Sequence, residues 1–81
     1  MNEMVIMGFP QAAIRAVIID ENSKQLDGGN CWFPDLVSMV EKMITANPVG
    51  KITVCGPADY IEKLIEMIEK VVDCPVEKKE M

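Results

Sequence analysis

The chain contains no histidine among its 81 residues. That absence removes imidazole acid–base catalysis, Ser–His and Cys–His nucleophile pairs, and most zinc and iron sites. Cysteine is sparse: Cys31, Cys55 and Cys74 form no Cys-x-x-Cys motif. An odd count with no signal-like N-terminus points to a reducing compartment, so a cytoplasmic protein is expected. No apolar run approaches the roughly 18 residues of a membrane span, and no membrane partner is expected. Positive charge is also scarce. Eight basic residues against thirteen acidic ones give a net charge of −5 and a pI near 4.5. An acidic chain repels phosphate backbones, so direct nucleic-acid binding is disfavoured.

What the chain does have is aliphatic bulk. Apolar residues make up 49% of it and aromatics only 5%, with seven methionines, which implies a core of soft, unbranched and β-branched side chains. Residues 1–81 are read as a single domain that hides about 60% of its unfolded surface. The charged stretch from Glu77 to Met81 is the one place where composition favours disorder.

Lys51 to Gly56 reads as a short buried strand that leads through Pro57 into an amphipathic helix running to about Val72. Ile61, Leu64, Ile65, Ile68 and Val72 supply the inward stripe. Asp59 with Lys63, and Glu66 with Lys70, are spaced for helical ion pairs. Upstream, Met4 to Met7 is a β-compatible run. Ala12 to Ile19 is a second one, apolar on both faces except at Arg15, which indicates a central strand. Lys24 to Asp27 reads as a short edge strand ended by Gly28, Gly29 and Asn30. A helix from about Pro34 to Ala46 presents Leu36, Met39, Val40, Met43 and Ile44. Pro75 to Glu77 is read as a final short strand.

The order is β-β-(β)-α-β-α-(β), an α/β (α+β) domain with a mixed sheet of four or five strands. A ferredoxin-like order fits worse because the hairpin comes first. Another small two-layer α/β sandwich is the alternative. Over residues 4 to 77, element order and turn positions resemble the ribonuclease H-like superfold, which includes nucleases, actin-like ATPases and some ribosomal proteins. Active nucleases of that group carry an aspartate inside the first strand, which here reads Met4 to Met7. Actin-like members need an Asp-x-Gly-type turn, where this chain has Phe9, Pro10 and Gln11. The group's helical glutamate maps to Glu41 and its later acid to Asp59. Without the first carboxylate a two-metal site cannot be assembled, so the resemblance implies a catalytically silent copy.

Given strand order 3-2-1-4-5, right-handed crossovers place both helices on one sheet face. The opposite face, carrying Val17 and Ile19, is then expected to be covered by a partner.

Other candidate sites weigh less. Gly56 before a helix would suit an anion cradle, but a simple hinge accounts for it. Gly28 and Gly29 lack a phosphate-loop pattern and read as a turn. Cys55, at a strand end beside a helix start, reads as a structural thiol, as do Cys31 and Cys74. Asp20, Glu21, Asp27 and Asp35 lack calcium-hand spacing and read as solvated turn acids. Phe9, Trp32 and Phe33 serve either as binding anchors or as caps on a core edge. No catalytic, cofactor or metal residue is assigned.

The expectation is a small non-catalytic interaction module acting as a homo-oligomer or as an accessory subunit of a larger protein. Its interface residues would be Phe9, Val17, Ile19, Trp32 and Phe33. Two alternatives stand beside it. One is an acidic inhibitor of a basic nucleic-acid-binding target, of the compact type found in phages. The other is a minimal nucleotide- or phosphate-binding enzyme using the Gly56 helix start.

Overall fold

Along each inner strand, every second side chain is sealed from solvent, and this alternation decides which face the helices cover. The computed structural model describes residues 1–81. It contains strands β1 (Glu3–Met7), β2 (Ile14–Ile19), β3 (Gln25–Cys31), β4 (Lys51–Gly56) and β5 (Val76–Glu80), with helices α1 (Leu36–Ala46) and α2 (Ala58–Glu69). The sheet order is β3-β2-β1-β4-β5. β1 pairs antiparallel with β2 and parallel with β4, β2 pairs antiparallel with β3, and β4 pairs parallel with β5. The result is a mixed, open, five-stranded α+β sheet.

Both helices lie on one face. Met4 and Ile6 of β1, Ile14, Ala16 and Ile18 of β2, and Ile52 and Val54 of β4 join Leu36, Val40 and Met43 of α1 and Ile61, Leu64 and Ile68 of α2 in one cluster. All of these side chains but Met43 are fully enclosed. At about 1.5–3 kcal/mol for each large aliphatic side chain buried, this layer dominates the stability of a domain this small. Every buried side-chain polar atom has a partner.

The elements differ from the sequence reading at several points. β2 begins at Ile14, because Ala12 and Ala13 belong to the preceding turn, where Gln11 has φ 63°. β2 is an interior strand, as its apolar run indicates, and lies between β3 and the middle strand β1. β3 does not stop at the glycines; it runs through them, pairing Gly28 with Val17 and Gly29 with Ala16. Space explains Gly29: a Cβ there would sit 3.3 Å from the Met39 sulfur, so the residue lets α1 approach the sheet closely. Pro34 falls in a single 3-10 turn over Phe33–Asp35, and α1 starts only at Leu36. Pro57 is extended (ψ 137°) and precedes α2 as its cap, one place earlier than the first helical position. The Asp59–Lys63 and Glu66–Lys70 ion pairs do not form. These helical acids and lysines are largely solvated, and Lys78 takes Glu62 instead, at 3.0 Å.

The charged C-terminal stretch is ordered. Its backbone pairs with β4, and Met81 donates an amide hydrogen bond to the Gly56 carbonyl (3.0 Å). Ladder hydrogen bonds do not depend on side-chain type, and a run of charge on an edge strand discourages further strand addition.

Candidate functional site: the open sheet face and the aromatic end

The register places a second set of side chains on the face away from the helices. Its middle row runs Gly28, Val17, Val5, Thr53 and Glu77 across the five strands. Towards the C-terminal end of β1 lies the row Asn30, Arg15, Met7, Cys55 and Lys79. Towards the other end lie Gln25, Ile19, Glu3 and Lys51. Val5, Val17 and Ile19 are partly open to solvent and Met7 is 39% exposed. No helix of this chain covers them. Cys55 is nearly sealed, yet stands outside the helix-side core cluster, flanked on this face by Met7 and Lys79.

The polar groups of this face are unevenly partnered. The Thr53 hydroxyl donates to Glu3 Oε2 at 3.0 Å, and Lys51 Nζ lies 3.6 Å from Glu3 Oε2 and 3.7 Å from Glu77 Oε2. Arg15, the chain's one arginine, has no ion pair.

A separate region gathers all four aromatic residues. β1, β3 and β4 all run in the same direction, so Phe9 and Trp32, just after β1 and β3, and Gly56, the last residue of β4, lie at one end of the sheet. Tyr60, in the first turn of α2, closes on this edge: a Cβ on Gly8 would lie 3.1 Å from its ring. The Phe33 and Tyr60 rings stand 6.3 Å apart at 42°, a tilted pair that caps the core edge. Trp32 is 61% exposed, and it lines a shallow groove with Asn30, Cys31, Asp35, Ser38, Met39 and Lys42. The Cys31 thiol is pushed above its ordinary pKa, first by burial and then by the Asp35 carboxylate, which keeps it protonated and poorly nucleophilic.

The five interface candidates therefore fall into two regions. Val17 and Ile19 share the open face; Phe9, Trp32 and Phe33 lie at the aromatic end. Val5, Met7, Thr53 and Cys55 join the open face only through register. The alternation of Met4 to Met7 and of Lys51 to Cys55 carried that information, but only a known pairing makes it readable.

The remaining candidates are dispersed. Asp20 accepts amide hydrogen bonds from Asn22 (2.8 Å) and Lys24 (2.9 Å), which closes its own turn. Glu21 takes the N-terminal amine, whose hydrogen bond and charge hold its carboxyl below the usual range. Asp27 accepts from the Gly28 amide (2.8 Å). The acids do not converge on one point. Gly56 is buried against the Gly8 carbonyl, and the first turn of α2 already carries the Asp59 carboxylate. Glu41 sits on α1 with Ser38, Lys42 and Thr45 around a shallow hollow lined by no hydrophobic residue. No helix is long and apolar enough to cross a membrane.

Compared with known protein families and with characterised proteins, the chain matches none.

Proposed function

We propose that this chain is a small non-catalytic interaction module built on a ribonuclease H-like sheet, and that it works through its open sheet face. The strand order β3-β2-β1-β4-β5, with an N-terminal antiparallel meander and two helices following, supports the resemblance. The observation that carries the function is the apolar row on the uncovered face: Val17 and Val5 at its centre, with Ile19 and Met7 on either side. Contiguous apolar surface bordered by charge is the usual mark of a protein-binding face.

The catalytic reading of the superfold lacks its parts. β1 carries no carboxylate between Met4 and Met7, and Glu41 and Asp59 stand on different helices. The nucleotide-binding alternative would require a phosphate beside Gly56, where Gly8 and Asp59 crowd the helix start. Thermal stabilisation of the protein by nucleotides would favour that alternative.

Mass in solution by light scattering across a dilution series tests the module reading, with Val17→Lys as the probe variant. Loss of the assembled species in Val17→Lys, with circular dichroism unchanged, supports it. A wild-type assembly that Val17→Lys leaves intact overturns it.

A further inference from the structure

We propose that Asp27 and Gly28 form a self-modification site. The Gly28 amide nitrogen closes onto the Asp27 side-chain carboxyl, and the cyclic imide so formed reopens to leave an isoaspartyl link in edge strand β3.

Three features converge on this dipeptide. Asp27 is the only aspartate followed by glycine; Asp20, Asp35, Asp59 and Asp73 precede Glu21, Leu36, Tyr60 and Cys74, whose side chains crowd the next amide. The two reacting groups already touch, because the Gly28 amide donates to Asp27 Oδ1 at 2.8 Å. With a carbon–oxygen bond of about 1.2 Å, the carboxyl carbon lies within about 4 Å of that nitrogen, close to the roughly 3–3.5 Å of a near-attack arrangement. The backbone is also lightly held at this point. β3 is an edge strand paired with β2 alone, and Gly28 is exposed. Beside Asp27 the ladder breaks: Ile18 pairs with Asp27 and Ile19 with Gln25, which leaves Leu26 without a partner. Ring closure turns the peptide out of its extended geometry, and a strand held on one side next to a break opens locally at less cost than an inner strand.

Asn22 and Ser23 make a useful contrast. They lie in an exposed turn, but the Ser23 amide is committed to the Asp20 carbonyl at 3.0 Å. The Gly28 amide is instead held by the very carboxyl it would attack.

The step consumes nothing but water. With the carboxyl protonated, the bond from nitrogen to Cγ forms and the bond from Cγ to hydroxyl breaks. The hydroxyl leaves as water with the proton that the amide gives up. Water then adds to one of the two imide carbonyls. Cleavage between nitrogen and Cγ restores aspartate. Cleavage between nitrogen and the Asp27 backbone carbonyl carbon leaves the chain running through Cγ and frees an α-carboxylate. That link adds a backbone atom between the two residues. Gly28 and Gly29 then cannot both keep Val17 and Ala16 as partners, and Gly29 leaves its place against Met39.

Ageing the protein tests the site. Folded protein, the same protein unfolded in guanidinium chloride, and Gly28→Ala are kept at neutral pH and body temperature for several weeks. Labelling by an isoaspartyl methyltransferase measures isoaspartate, and electron-transfer fragmentation of the tryptic peptide 25–42 assigns it. The folded chain should gain isoaspartate at position 27, with no change in mass, at a rate within about tenfold of the unfolded chain's. Gly28→Ala, which gives the amide a neighbouring Cβ, should slow the reaction about tenfold or more. A folded rate below that range would overturn the site. So would equal modification at the other aspartates, isoaspartate found only with the mass gain of asparagine deamidation, or a Gly28→Ala rate equal to wild type. The urea midpoint of the aged wild type should fall as its isoaspartate content rises, while aged Gly28→Ala keeps its own. A midpoint indifferent to that content would overturn the loss of register.

Discussion

Gly8 and Gly56 meet at the ends of the two central parallel strands so closely that a Cβ on Gly56 would lie 2.1 Å from the Gly8 carbonyl oxygen. Gly56 also holds φ +150°, a region that side-chain-bearing residues rarely adopt. Gly56→Ala should therefore destabilise the fold by roughly 2–4 kcal/mol through combined strain and steric displacement. Gly28→Ala is the control, because its added Cβ presses on the flexible tip of Gln25 and touches the Ala16 carbonyl only at an ordinary 3.7 Å. It should change stability by less than about 1 kcal/mol. Urea unfolding of both variants checks the contrast, and equal effects would count against it.

Ile6 is fully enclosed on the central strand. Replacing it with alanine should cost about 3–4 kcal/mol, and replacing it with valine about 1 kcal/mol. A domain of this length holds roughly 4–12 kcal/mol in total, so Ile6→Ala should be unfolded at moderate urea concentration while Ile6→Val is not. Unfolding midpoints followed by Trp32 fluorescence and by circular dichroism would show this.

Cys31 should react slowly with iodoacetamide near neutral pH. Burial first, and the Asp35 carboxylate second, raise its pKa, and only the thiolate attacks. Asp35→Asn removes the smaller of these causes, so Cys31 should then alkylate somewhat faster, with urea-unfolded protein faster still. Site-resolved mass spectrometry gives the three rates. Identical rates in the folded, variant and unfolded proteins would contradict this account.

Lys78 anchors the edge strand to α2 by a hydrogen bond to Glu62 (3.0 Å) and forms an ion pair with Glu80 in its own strand (3.2 Å). Those two carboxylates, Glu62 first, raise its pKa above the ordinary 10.5. A cation whose folded pKa is raised contributes stability that is fully present below its unfolded pKa and is lost as pH climbs through the folded value. The difference in denaturant midpoint between wild type and Lys78→Met should thus be constant at neutral pH and shrink at pH values above about 10.5. The group is solvent-exposed, so the contribution is small and should decline with added salt. A difference that grows with pH would contradict the assignment.

Much of the architecture was legible in the residues because the helical stripes and the doubly apolar run of β2 leave few packings open. Given the strand order 3-2-1-4-5, handedness then put both helices on one face. Boundaries were read less well where two local rules competed. Gly28 and Gly29 look like a turn, and it is the approach of Met39 over Gly29, a tertiary contact, that makes a strand of them. The Glu77–Glu80 stretch looks like a solvated tail because composition does not reveal that β4 offers it an unpaired edge. The open face was half legible: Val17 and Ile19 declared themselves through apolar excess, whereas Val5, Thr53 and Arg15 became neighbours only once register set β2, β1 and β4 side by side.

The sheet also divides the chain by contact range. β1 to β3 form a meander of sequence neighbours, and β4, α2 and β5 form a second local unit. The two are stitched by the single ladder that pairs Glu3 with Lys51 and Met7 with Cys55, together with α1 packed across the seam. Closing that ladder means ordering the whole intervening chain, so it carries the largest loop-closure cost of the sheet. Each half leaves an apolar face and an unpaired strand edge until then. The two halves are consequently joined in the sheet through β1, the one strand that belongs to the first half by sequence and to both halves by hydrogen bonding.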